Sequence, residues 1–244
     1  MIISIFLISC NNNIRNQIES IQYDNGIIEF QGSLLLKDGN VEQSELHKTN
    51  VRYYDKSGRV LIIEYSDGEK NYSLFRKNGE GAIMMEIIYN DKYERVWRNE
   101  YLYYEDGNVK SINSFNKSEK LESKTLMAYD TKGNRISTET YNSDSTLNNR
   151  TVNEYDGTKL IKSSFYIAND DPVENIYIYN NYGLLIKCDS YKYGKIISTT
   201  EYSEYDQNRR VVLTINYVYD GKNKRIPSTI NKFQYFNLTI ASTG

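Results

Sequence analysis

Few side chains in this 244-residue chain have the type and setting for chemistry, and the first limit is its single histidine, His47. A Ser-His-Asp triad would have to use it. Its surroundings, Glu45-Leu46-His47-Lys48, carry no nucleophile-elbow signature, so His47 reads as an exposed strand residue. One histidine and no cysteine pair supply too few ligands for zinc, and no glycine-rich loop is built to cradle phosphate. Cys188, in Leu184-Leu185-Ile186-Lys187-Cys188, has no nearby histidine to activate a thiolate and reads as a small strand residue. Carboxylates are numerous, but Asp55, Asp130, Asp156 and Asp206 recur at one position of a repeated turn, where an Asx-turn role explains them. Two non-repeat carboxylates brought together only in space would still make a hydrolase, and that reading stands as an alternative. The remaining resource is the 24 tyrosines. Tyr101, Tyr103 and Tyr104 with Trp97, and Tyr191 with Tyr193, offer flat rings that stack on sugars or anchor a protein contact; cross-strand packing is the competing use. The expectation is a protein without catalytic residues, metal or cofactor, binding a glycan or protein through such aromatics. With 30 Lys+Arg interspersed among 32 Asp+Glu, for a net charge of −2, there is no basic footprint for nucleic acid.

The elements that would position these rings are set by a recurring turn. Its copies begin at Tyr54-Asp55, Tyr104-Glu105, Tyr129-Asp130, Tyr155-Asp156, Tyr179-Asn180 and Tyr205-Asp206, and from Tyr104 onward they lie 24 to 26 residues apart. A second aromatic series, Tyr65, Tyr89, Phe115, Tyr141, Tyr166, Tyr191 and Tyr217, falls between them. Two aromatic-then-turn signals per repeat mean two strands per repeat. Asp or Asn at the start of such a turn bonds its side chain to amides further along, and Gly supplies the positive φ of a tight reversal. Gly58, Gly107, Gly133, Gly157 and Gly183 take that role in this reading, with Asn208 in the glycine position of the last copy. Asp106-Gly107, Asp156-Gly157 and Asp220-Gly221 read as two-residue type I′ turns, and the Tyr129 copy as one residue longer than the Tyr54 copy. Between turns the chain alternates, as in Val211, Leu213, Ile215, Tyr217 and Tyr219 on one face. The sequence therefore predicts an all-β antiparallel up-and-down meander of roughly fourteen to eighteen strands, strongly curved or barrel-like, with an open single-layer sheet as the alternative.

Two resemblances extend this reading. Leu7-Ile8-Ser9-Cys10, after the apolar run Ile2-Ile3-Ser4-Ile5-Phe6, resembles the bacterial lipobox. It implies a signal peptide over 1–10, lipidation at Cys10, a polar tether over 11–22 and a single β domain over 23–244. Tyr54-Asp55-Lys56-Ser57-Gly58-Arg59-Val60 resembles the YD (Rhs-type) repeat, Tyr-Asp-x-x-Gly-Arg followed by an aliphatic residue. That family forms β-sheets that wrap into shells, with some members implicated in carbohydrate contact. The family's Asp-Pro-x-Gly cleavage signature is missing here, since Asp171-Pro172 is followed by Val173-Glu174, and no toxin domain is expected. Together they imply a non-enzymatic lipoprotein on the membrane surface of the bacterial cell envelope, its sheet a scaffold for glycan or protein. An immunity-like binder of a YD-repeat toxin is a further alternative.

Overall fold

In the computed structural model, which describes residues 14–18, 25–37, 40–57, 59–167, 170–220 and 222–237, a meander of seventeen strands follows a one-turn helix at 14–18. The strands are β1 (Asn25–Lys37), β2 (Asn40–Gln43), β3 (His47–Tyr54), β4 (Val60–Tyr65), β5 (Lys70–Lys77), β6 (Ile83–Tyr89), β7 (Arg95–Tyr103), β8 (Val109–Asn116) and β9 (Leu121–Tyr129). They continue as β10 (Arg135–Asn142), β11 (Leu147–Asp156), β12 (Lys159–Ile167), β13 (Val173–Tyr179), β14 (Leu185–Lys192), β15 (Lys195–Tyr205), β16 (Val211–Tyr219) and β17 (Arg225–Asn237). Each pairs antiparallel with the next along the chain from β3 to β17, and β1 then closes the ring. Its residues Asn25–Ser33 pair with Asn237–Thr229 of β17, and Asn25–Gln31 pair with Tyr54–His47 of β3. The result is a closed barrel of sixteen strands, because β2 pairs only with the far end of β1 as a hairpin extension. The open-sheet alternative is thereby set aside. The wall is a single layer.

The turns explain why the meander reverses where it does. At most hairpins the first turn residue accepts the amide of the fourth through its carbonyl, and the fourth residue takes positive φ. Where the first residue is Asp or Asn, its Oδ1 also accepts the amides two and four residues on: for Asp130, those of Lys132 and Asn134, both at 2.8 Å. Gly107 (φ 84°), Gly133 (φ 82°) and Gly183 (φ 74°) sit in that fourth position. Gly58 lies outside the described residues.

Several turn details differ from the sequence reading. In the last copy the left-handed residue is Arg209 (φ 63°), so Asn208 is the third turn residue and not the glycine equivalent. Counting from Asp206, whose Oδ1 takes the amides of Asn208 and Arg210, makes this copy the same length as the Asp55 turn. Likewise, Tyr104–Gly107 and Asp220–Asn223 are four-residue turns, and Asp130–Gly133 has no extra residue. Asp156 pairs with Lys159 across a two-residue turn, but its central residues are Gly157 and Thr158, with positive φ at Gly157 only. Among the described residues, the turn with both central residues left-handed is Tyr193-Gly194, where the sequence had suggested a binding ring.

A second irregularity recurs just past the turns: one residue of the following strand bulges, as Met84, Ile136, Ile161, Ile186 and Val212 do. Bulges sharpen the right-handed twist and so help the sheet to close.

Chirality decides which face looks inward. Strands coil right-handed about a barrel axis, and the partners Arg52, Ile63 and Asn71 move away from the rim that carries the Asp55 turn as they pass from β3 to β5. For L-residues this places Glu29, Asn50, Arg52, Glu86, Asn99 and Tyr101 inside, and Val51, Leu74, Ile87 and Tyr89 outside. A cavity of about 190 Å³ agrees: its lining includes Glu29, Asn50, Arg52, Tyr202, Thr214 and Phe233, from five consecutive strands of the closed ring, and only a concave wall can gather these.

Within the segment read as a polar tether, residues 14–18 are described. Residues 14–18 form a helical turn whose Ile18, 3% exposed, packs with Ile87 and Tyr89 on the outer wall. The apolar spacing of Ile14 and Ile18, four apart, puts both on one helix face. Cys10 and the expected signal peptide lie outside the described residues.

Candidate functional site

The inner wall of β6, β7 and β8 gathers a polar and aromatic cluster facing the lumen. Alternation on β7 points Trp97, Asn99 and Tyr101 inward together, and the register sets Asn99 opposite Glu86 on one side and Ser114 on the other. Asn99 joins them: its Nδ2 donates to Glu86 Oε2 at 3.0 Å, while its Oδ1 accepts from Trp97 Nε1 at 3.0 Å and Ser114 Oγ at 2.8 Å. The Tyr101 hydroxyl donates to Glu86 Oε2 at 3.0 Å. Burial, followed by the Glu86 carboxylate, pushes the Tyr101 phenol far above the ordinary tyrosine range, so it remains a donor. Similar neutral pairs continue around the wall. Ser190 Oγ donates to Asn175 at 2.7 Å, Thr200 Oγ1 to Asn216 at 2.7 Å, and Asn216 Nδ2 to Thr229 at 2.8 Å. Tyr202 also faces in, its phenol pushed up to about 12 by burial and by the nearby Cys188 and Tyr177.

The aromatics named from sequence are divided among four places. Trp97 and Tyr101 share the inner cluster. Tyr103, two residues on, donates to the Ile83 carbonyl at 2.6 Å. Tyr104 opens a turn on the rim, 40% exposed, edge-on to Tyr129 and under Lys110. Tyr191 lies on the outer wall, and Tyr193, 65% exposed, sits in the opposite rim's turn with its hydroxyl on Asp170. They do not form one platform. Glu86, Asn99 and Ser114 escaped the sequence reading, although a lone carboxylate inside Ile83-Met84-Met85-Glu86-Ile87-Ile88 was the available signal.

Among the repeated acids, Asp55 is pulled up by burial and more strongly down by Arg59 and the turn amides, and Asp130 is held low by Asn134 and its turn amides. Both serve their turns. Cys188 on β14 is half-buried, and burial pushes its thiol up, away from thiolate reactivity. His47 is exposed at the start of β3. Among the described residues no group of three His, Cys, Asp or Glu side chains is placed to hold a metal ion.

Among the described residues, the inward carboxylates of the strands do not converge. Glu29 on β1 and Glu86 on β6 are four strand steps apart, about 19 Å along the wall, whereas glycosidase pairs sit about 5–9.5 Å apart.

No protein-family model matches the chain, and no curated protein matches it. Among solved structures it is similar to a porin-like protein from Bacteroides uniformis ATCC 8492, with a TM-score of 0.56 and 8% identity over 88% of this chain and 98% of that one. A DUF1329 family protein from Desulfovibrio piger ATCC 29098 scores 0.29 at 8% identity, covering 96% and 94%. A TcdB2-TccC3 structure scores 0.26 at 13% identity, covering 86% of this chain and 16% of that one. Scores as low as the last two carry no argument, and the first likeness shows the fold alone, an antiparallel barrel closed on itself.

Proposed function

We propose that the chain is a non-enzymatic scaffold of the bacterial cell envelope, tethered by lipid at Cys10, whose lumen takes a neutral glycan. The observation that carries this reading is the Trp97, Asn99, Tyr101 and Glu86 cluster on a wall otherwise rich in Asn, Ser and Thr. Sugars are recognised by ring stacking combined with carboxamide and carboxylate contacts, and aromatic anchors carry a large share of binding energy. The YD-like turns and the lipobox support the envelope setting. The separation of Glu29 and Glu86 favours binding over hydrolysis.

Screening the purified barrel against neutral oligosaccharides is expected to yield a ligand whose affinity falls at least tenfold in Trp97→Ala and Tyr101→Ala. Tyr104→Ala and Tyr193→Ala should leave that affinity within about twofold. A screen without a ligand, or equal losses at all four positions, would remove the glycan reading. Tethering is tested separately: a palmitate-analogue label should be incorporated by cells expressing the wild type and be absent from Cys10→Ala.

A further inference from the structure

On the outside of the barrel, the helix at 14–18 and the wall of β5 and β6 enclose a cavity of about 310 Å³. Ile14, Leu74 and Ile87 give it aliphatic walls, and Gln17, Arg76 and Tyr89 bring polar groups to it. Two of these polar groups are not engaged by other described side chains. Tyr89 is only 6% exposed, yet its hydroxyl has no hydrogen-bond partner among the described residues. Arg76 is exposed and has no carboxylate partner among them. Burial pushes the Tyr89 phenol up, while the charges of Arg76 and Arg95 oppose that shift, so Arg76 lies close enough to act on it. The cavity therefore sets aliphatic walls beside a phenol and a guanidinium that no other described side chain engages, an arrangement that fits an amphipathic anion.

We infer that this cavity is a binding site for a single-chain fatty carboxylate, its tail against Ile14, Leu74 and Ile87 and its head group on Arg76 and Tyr89. The volume lies at the lower end of ligand cavities, which suits one chain of moderate length. A guanidinium fork matches a carboxylate, and the protonated phenol supplies a further donor. The site is separate from the lumen and does not depend on the glycan reading.

Calorimetric titration of the full chain, delipidated, with decanoate, octanoate, 1-decanol and acetate tests it. Decanoate should bind saturably with one site, octanoate roughly tenfold more weakly for the two lost methylenes, and acetate not measurably. Decanol should bind at least tenfold more weakly than decanoate, and Arg76→Gln should bring decanoate down to the level of decanol. Leu74→Trp, which fills the cavity, should abolish both; if that variant loses the barrel's circular dichroism, Ile14→Trp fills it from the helix side. Trp97→Ala should leave decanoate binding intact, so this site and the lumen fail independently. Absence of saturable decanoate binding by the wild type, or binding unchanged in Arg76→Gln and in the filling variants, overturns the inference.

Discussion

Asp189→Ala is expected to destabilise the barrel by about 3 kcal/mol, a large share of the roughly 5–15 kcal/mol that holds a domain together. Asp189 lies on the outer wall of β14, with its side chain only 7% exposed. Its Oδ2 faces Lys187 Nζ at 2.7 Å, and its Oδ1 accepts from Thr199 Oγ1 at 2.6 Å. Thr199 is fully buried, and its hydroxyl is also 3.0 Å from that of Tyr219. The hydrogen bond it donates to Asp189 holds the Lys187 ammonium above the ordinary lysine range against the opposing effect of burial. Alanine leaves both donors without their acceptor, and the loss is dominated by desolvated groups left unpaired. Lys187, 34% exposed, can turn toward water, which keeps the figure near the lower end for a broken buried pair. Asp189→Asn, which keeps an oxygen for Thr199, should cost about half as much. The double variant Lys187→Met with Asp189→Leu should recover most of the loss, since an apolar pair removes both charges together. Urea midpoints check all three, and a loss below about 1 kcal/mol for alanine would mean that the pair behaves as an ordinary surface ion pair.

The outer-wall network and the inner cluster were illegible in the sequence for the same reason. Lys187 and Asp189 are two apart and so visibly share a face, but Thr199 meets them only through the β14–β15 register, which depends on the bulge near Tyr191. Glu86, Asn99 and Ser114 likewise come from three strands. What one strand contains was readable: the alternation, the Asp or Asn at the head of many turns, the antiparallel meander. Details that hang on one residue of register were not, which is why Asn208 took the place belonging to Arg209 and Tyr193 was read as a binding ring when it forms a turn. Barrel-like curvature was readable from the number of strands, but not which strands close the ring. Closure rests on β1 meeting both β17 and β3, across nearly the whole length of the chain. The sequence signalled recurring aromatics but not which face each takes: Tyr65, opposite Asn50, points in although Tyr89 of the same series points out. Tyr103, Tyr155, Tyr179 and Tyr205 point in near one rim, while Tyr89, Phe115 and Tyr191 point out near the other.

Replacing Tyr103, Tyr155, Tyr179, Tyr205 and Tyr235 together by phenylalanine is expected to cost about 5 kcal/mol, enough to unfold a barrel of ordinary stability at room temperature. These five hydroxyls share one task. Each donates to the carbonyl of the residue just before a bulge on the preceding strand: Tyr103 to Ile83 at 2.6 Å, Tyr155 to Arg135 at 3.1 Å, Tyr179 to Leu160 at 2.9 Å, Tyr235 to Val211 at 2.8 Å, and Tyr205 to Leu185. A bulge disrupts the ladder locally, and a carbonyl left over beside it needs a donor from elsewhere. Phenylalanine keeps the ring and its packing, so the measured change isolates the hydroxyl at about 1 kcal/mol per site. The acceptors are distinct, and the sites lie on different strands, so the losses should be nearly additive. Tyr191→Phe, on the outer wall, is the control and should stay within about 0.5 kcal/mol of the wild type. If the fivefold variant melts with the wild type, ring packing alone explains the repeated tyrosine. If it loses the expected amount, the spacing of the tyrosines follows from the spacing of the bulges, because a strand that bulges after its turn must be met by a neighbour carrying a donor at the rim.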